Sequence, residues 1–296
     1  MSPGEFPAGL SFVPRPGVIR VASFEVPGGP PADPDLDVEQ RFVYRESTDK
    51  GLTWSPPVAG EMLGDWHEEI FVPRSWNGVF GATTLRDGTL LAMILHGWKD
   101  RNKMIPNFHA ASTWGSELAQ PYCTVSKDQG ITWSRPVPMD HAVIRQNDPL
   151  KGHCGGFSET ALAQLPSGRI VAIARPFHSP FMWQTHSEDG GATWRMACYA
   201  PFSGAGSPQL VATRSGYLAM VARCLGGVGM HVGIDGGLNW DHGTTLDCPS
   251  YFNGSMIEVE PDVVLVIYPD MPDGAGAHVR AQKIRITPQG PIPLEP

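Results

Sequence analysis

Glu159 and Arg175 hold the most chemistry in the smallest space of this 296-residue chain. Glu159 stands just before an apolar run, Thr160-ALAQL, and Arg175 closes the next one, Ile170-VAIA. A turn at Pro166-SG between the runs predicts a hairpin that brings both residues to the same end. A carboxylate beside a guanidinium there is either a ligand site or a structural ion pair, since strand ends need charge neutralisation as much as sites do. Arg223 ends the comparable run Leu218-AMVA, while Tyr251 and Asn253 precede another. Arg74, His96, Asp100, Arg101 and His153 fall at further strand ends or adjoining loops, as do Trp76, Asn77, Lys99, Ser158, His178, Ser207, Tyr268 and Asp270. Histidine beside arginine or tyrosine suits abstraction of the proton next to a uronate carboxylate. Trp76, Trp98 and Trp114 lie in or beside long inserts, where they either stack on sugar rings or pack the inserts down.

Two interleaved repeats must position these groups. The first is Ser47-Thr-Asp49-Lys-Gly51-Leu-Thr53-Trp54, which returns at Ser126–Trp133 and Ser187–Trp194 and, more loosely, at Gly233–Trp240. Asp accepts hydrogen bonds from nearby backbone N–H groups in a tight turn, Gly supplies positive φ, and Trp plugs the gap beside the strand. These aspartates are read as turn holders. The second repeat is a strand, a Gly- or Asp-centred turn and a strongly apolar strand, seen from Val79, Glu159, Ser207 and Asn253 and more faintly from Pro7. A third strand precedes each Asp-containing turn and a fourth is expected to start at each Trp.

The unit is therefore a four-stranded antiparallel meander, and five modules are countable: 7–63, 79–140, 157–201, 205–245 and 251–288. Radial repetition of such meanders is a β-propeller, which leaves few exposed sheet edges. The last module lacks an obvious fourth strand, which the N-terminal segment is expected to supply. Stretches 96–121 and 140–156 read as loops on one face. One all-β domain over 1–296 is expected. Because the Asp-containing turns join strands 3 and 4, function belongs to the opposite face, where strand 1 begins and strand 2 ends.

Composition narrows the partners. The 34 Gly and 29 Pro, spread along the chain, suit many short strands. A net charge of −8 provides no basic surface for nucleic acid. No apolar run reaches the length of a membrane helix. The opening MSPGEFPAGLSF lacks a basic start followed by an apolar run, so a cytoplasmic location is expected. Five scattered cysteines, never in Cys-x-x-Cys spacing, are expected to be buried reduced thiols. No metal spacing and no cofactor motif is recognised.

The Ser-x-Asp-x-Gly-x-Thr-Trp pattern is the Asp-box, and the chain resembles sialidases and related β-propellers in it. It is also similar to them over Glu159-TALAQLPSGRIVAIA-Arg175, where that family has a glutamate, a strand hairpin and an arginine. The resemblance implies six blades and a glycoside hydrolase acting on an anionic, carboxylate-bearing glycan. It implies Glu159 as the base that polarises a nucleophilic tyrosine, for which Tyr251 is the nearest match, in a retaining mechanism. Arg175 and Arg223 would clamp the sugar carboxylate, helped by Arg74, His96, Arg101, His153 and Asn253, and Asp100 would serve as general acid. The chain departs from the family at its first blade, where Glu5-Phe6-Pro7 replaces Arg-Ile-Pro, so one clamp arginine is missing. Without gaps the nucleophile position falls on Asn253, and Asp33, Asp35 and Asp37 compete with Asp100 for the acid role. Two other readings stand beside this one: a uronate-glycan lyase using His, Tyr and Arg, and a non-catalytic propeller that binds glycan or protein.

Overall fold

The computed structural model describes residues 10–25, 41–62, 75–98, 118–139, 157–176, 181–204, 206–224, 227–250, 252–270 and 278–294. Among them there is no helix; every regular element is a β-strand. The chain divides into two compact units, 1–139 and 140–296.

The first unit holds two four-stranded antiparallel sheets. Strands β1 (Leu10–Arg15), β2 (Val18–Glu25), β3 (Arg41–Ser47) and β4 (Val58–Ala59) pair in that order. After the short β5 (Glu61–Met62) come β6 (Ser75–Thr84), β7 (Leu90–Trp98), β8 (Leu118–Ser126), β9 (Thr132–Trp133) and β10 (Val137–Pro138); the second sheet runs β6-β7-β8-β10. The two sheets share a core of Phe12, Phe42, Leu90, Ala92 and Trp133. Phe12 and Phe42 both meet the Trp133 ring nearly edge-on, at 80° and 78°. β5 and β9 form a small parallel ladder.

The second unit holds three sheets. β11 (Phe157–Gln164), β12 (Ile170–Pro176), β13 (Phe181–Ser187) and β14 (Cys198–Ser203) form one meander. β15 (Gly206–Ala212), β16 (Leu218–Cys224), β17 (Gly227–Ile234) and β18 (Asn239–Trp240) form the next, with β19 (Thr244–Asp247) also paired to β17. β20 (Ser255–Glu260), β21 (Val263–Asp270), β22 (His278–Thr287) and β23 (Gly290–Pro293) complete it. Alternation along the strands buries one apolar set between the β11 and β15 sheets, including Val171, Ile173, Met220 and Phe202. Another lies between the β15 and β20 sheets, including Val221, Val232, Val266 and Ile284.

Five meanders match the five modules counted from sequence, and the described residues form no sixth. The terminal sheet takes its fourth strand from Gly290–Pro293, while β1 pairs with β2, so the N-terminal segment is not the missing strand. The fourth strands of three sheets begin at Val58, Val137 and Cys198, a few residues beyond the Trp. β7 continues to Trp98 and β8 starts at Leu118, so the ends of the expected 96–121 loop are strand. Cys198 and Cys248 are exposed, against expectation, while Cys123 is buried; Cys154 lies outside the described residues.

The Asp-boxes are built as their residue types require. Asp49 accepts from the Thr53 backbone N–H at 2.9 Å and the Thr53 hydroxyl at 2.5 Å, and Ser47 donates to it at 2.7 Å. Asp128 and Asp189 repeat those bonds, and Asp235 takes both from Asn239. Two successive residues have positive φ in the first three turns, Lys50 and Gly51, Gln129 and Gly130, and Gly190 and Gly191, and three in the looser fourth, Asp235, Gly236 and Gly237. The indole N–H of Trp133, Trp194 and Trp240 donates to the carbonyl of Gly130, Gly191 and Gly237 at 3.1, 3.2 and 3.0 Å.

Lys50 and Gln129 occupy a slot where the other two copies carry glycine. Lys50→Gly and Gln129→Gly should each raise stability by about 0.5–1 kcal/mol, by relieving left-handed backbone strain. Chemical denaturation checks this, and a loss in both variants sinks it. The Thr53 hydroxyl, then its backbone N–H and Ser47, pull the Asp49 carboxyl down to about 2. A depressed carboxyl stabilises the fold above its unfolded pKa and loses that contribution as pH falls through the folded one. Melting temperature should therefore drop between about pH 4 and pH 2. Asp49→Asn should lower it at neutral pH and flatten that acid limb.

Candidate functional site

The β11–β12 hairpin places Glu159 and Arg175 where the sequence predicts. Pairing runs from Gln164↔Ile170 to Thr160↔Ala174 and is then irregular up to Phe157↔Pro176. Glu159 lies in that bulge, opposite the end of β12. The Arg175 Nη1–H donates to Glu159 Oε2 at 3.0 Å, and each side chain is 29% exposed. A bulge re-aims side chains at a strand end without disturbing the ladder beyond it.

The neighbouring sheet repeats the device. β15 is irregular between Gly206 and Gln209, and Gly206 pairs with Arg223 at the end of β16. The Arg223 guanidinium lies against the Gly206 backbone so closely that a Cβ there would collide with it. Arg175 continues the alternation of Val171 and Ile173, whereas Arg223 continues that of Ala219 and Val221. Both arginines thus cap the apolar packing at equivalent ends of second strands, and β11 and β15 pack on one another.

Asn253 is exposed just before β20. Beside it, Gly254 approaches the Ile267 carbonyl so closely that no Cβ fits, which fixes the entry to that strand. His96 pairs with Asn77 and with Gln120 across β7. Arg74, Asp100, Arg101, His153 and Tyr251 lie outside the described residues, as do Lys99, Trp114 and His178.

A second polar cluster joins Tyr268, whose position was noted in the sequence, to two residues that were not. The Tyr268 hydroxyl donates to Asp247 Oδ2 at 3.1 Å, and Arg280 Nη1–H donates to the same oxygen at 2.9 Å. Asp247 comes from β19, an additional strand on β17 that no repeat predicts, and Arg280 pairs with Tyr268 in the ladder. Burial, then the Asp247 charge and its hydrogen bond, push the Tyr268 hydroxyl up to about 12. In the first unit Arg45 binds Glu25 through both guanidinium nitrogens. The Arg45 hydrogen bond holds the Glu25 carboxyl below its ordinary value. Arg45 sits mid-strand in β3, where strand-end reasoning does not look. Among the described residues no group of three His, Cys, Asp or Glu side chains could hold a metal ion.

Residues 124–135 match the BNR/Asp-box repeat family. No curated protein matches the chain. Among solved structures it is similar to a Hadza microbial sialidase, at 18% identity over 92% of this chain and 51% of that one, with a TM-score of 0.59. It is similar to the NanB sialidase of Streptococcus pneumoniae, at 13% identity over 97% and 60% of the two chains, with a TM-score of 0.58. It is also similar to an α-L-arabinofuranosidase of Fusarium graminearum, at 16% identity over 91% and 72%, with a TM-score of 0.57. The chain spans 51% to 60% of the length of those two sialidases. These likenesses show the fold, a sialidase-like β-propeller whose blades are the four-stranded sheets. Those neighbours are glycoside hydrolases, and identities this low carry no further than architecture.

Tyr268 should ionise above the ordinary tyrosine range. Its neutral form is the one the fold favours, so the stability it contributes is lost only as pH rises through its raised pKa. Ultraviolet titration of phenolate should show a late step near pH 12, and Tyr268→Phe should remove it. An unchanged titration in the variant refutes the assignment.

Proposed function

We propose that the chain is a sialidase-like exo-glycosidase acting on a glycan that carries a carboxylate. One observation carries the reading. Two arginines close equivalent second strands of adjacent sheets, each opposite a bulged first strand, and a glutamate is hydrogen-bonded to one of them. Guanidinium forks suit planar carboxylates and bind them bidentately. In this reading Arg175 and Arg223 hold the sugar carboxylate, assisted by Arg74, His96, Arg101, His153 and Asn253. Tyr251 attacks the anomeric carbon, Glu159 accepts the tyrosine proton, and Asp100 protonates the leaving oxygen. Water then releases the sugar with retention.

A panel of fluorogenic sialosides, uronides, arabinofuranosides and neutral hexosides tests it. Turnover is expected with a carboxylate-bearing member, and Glu159→Gln should lower it by at least ~100-fold, the lower end of general-base contributions. The melting temperature should barely change, since a pair about a third exposed contributes under ~1 kcal/mol. Arg175→Lys should raise KM roughly tenfold or more by turning a fork into a point charge. Activity that tracks folded fraction in Glu159→Gln makes the pair structural. An unsaturated, ultraviolet-absorbing product makes the protein a lyase. Cleavage of the arabinofuranoside alone removes the carboxylate from the reading, and binding without turnover removes catalysis.

A further inference from the structure

Two thiols approach one another over a stretch of β17 that carries no side chains. The strand opens with Gly227, Val228 and Gly229. Val228, Met230 and Val232 face the β20 sheet, so alternation turns Gly227, Gly229 and His231 the other way, toward β14. The His231 ring stacks on Phe202 of β14, in keeping with that direction. Cys224 ends β16 and continues the alternation of Leu218, Met220 and Ala222, which places its thiol on the same face. The Cys224 Sγ lies so close to Gly229 that a Cβ there would collide with it, and it is 3.9 Å from the Ser203 carbonyl of β14. Cys248 reaches this face from just beyond β19. A Cβ on Gly227 would collide with the Asp247 carbonyl and would stand 3.3 Å from the Cys248 Cβ.

Gly227 is the residue directly opposite Cys224 in the β16–β17 ladder. Cys248 therefore stands close to where the cross-strand partner of Cys224 would carry its side chain. Such partners hold their Cβ atoms ~4.5–5.5 Å apart, and a disulfide needs ~3.5–4.5 Å. We infer that Cys224 and Cys248 form a redox-modification site, a thiol pair that closes reversibly on reaction with a small-molecule disulfide such as oxidised glutathione. Cys248 is exposed, whereas burial pushes the half-buried Cys224 thiol up, so reaction starts at Cys248. Its thiolate attacks the reagent, bonds to one glutathione sulfur and releases the other glutathione as thiolate. The Cys224 thiolate then attacks the Cys248 sulfur, the cysteine–cysteine bond forms, and the second glutathione leaves. The two protons lost by the cysteines end on the two glutathione thiols, so two cysteines are oxidised and one glutathione disulfide is reduced. Among the described residues no other cysteine lies at this place. Cys198 opens β14 whereas Ser203, beside Cys224, closes it, and Cys123 is buried in the other unit. The bridge pins the strand end next to Arg223 to the segment that leads into β20.

Treating the native, intact chain with excess oxidised glutathione tests this. Remaining thiols are blocked with iodoacetamide in denaturant before digestion and mass mapping. The Cys224 and Cys248 peptides should be found joined, the free-thiol count should fall from five to three, and dithiothreitol should reverse both changes. Cys224→Ser should instead leave glutathione attached to Cys248. The wild-type map needs no variant and decides by itself. Glutathione retained on either cysteine without a joined peptide overturns the inference, as do two unmodified thiols. A joint to Cys123, Cys154 or Cys198, or a covalent dimer, overturns it equally.

Discussion

Reversing a strand through two successive left-handed residues is costly for L-amino acids, and everything else in this fold is arranged around meeting that cost four times. Lys50, Gln129 and Asp235 carry the strain outright, and Gly190 avoids it. What holds the reversal is a carboxylate facing backbone and side-chain donors from the residues that follow, with the indole N–H tied back onto a glycine carbonyl of the turn. The turn is thereby stiff enough to act as an anchor between sheets. Arg20, buried over the Tyr44 ring, reaches the carbonyl of Gln129 in the adjacent sheet's turn. Gln184 does the same for Gly237 and Trp240. Arg214 and Ser215 reach Glu258 and Asp262. Each clip joins neighbouring sheets at a turn, where backbone groups would otherwise face water.

The fold was legible because this constraint is written in few letters. Asp, Gly and Trp at fixed spacing define the turn, and apolar pairs of strands around a glycine define the hairpin that precedes it. Strand ends were harder. Three fourth strands begin four residues after the Trp, which spacing does not reveal, and β19 adds to β17 beyond β18. Glu159 and Arg175 were readable as partners because sixteen residues and one turn separate them. Asp247, Tyr268 and Arg280 were not, since their meeting depends on a strand outside the repeat.

Two first strands of the second unit are bulged opposite the arginine near the end of the next strand. A regular ladder alternates its side chains strictly, so a residue at a strand end points wherever parity sends it. Arg175 and Arg223 keep the parity of their own second strands, while the first strands opposite them are irregular at Phe157–Thr160 and at Gly206–Gln209. Glycine at 206 then leaves room for a guanidinium where any side chain would exclude it. Strand parity thus places the positive charge, and the apolar alternation below it stays intact.

The carboxylates divide by what their lone pairs already do. Asp49 and Asp189 are each held by Ser and Thr donors of their own turn, and both have depressed proton affinity, that of Asp49 reaching about 2. An acid that weakly basic is a poor proton acceptor near neutrality, however close a substrate came. Asp247 shares one oxygen between a phenol and a guanidinium, which commits it to holding β19, β21 and β22 together. Glu159, like Glu25, is bonded to a guanidinium on the next strand, but its bond forms beside a bulge in the first strand. Among these carboxylates Glu159 is thus the one whose ion pair sits at a bulged strand end.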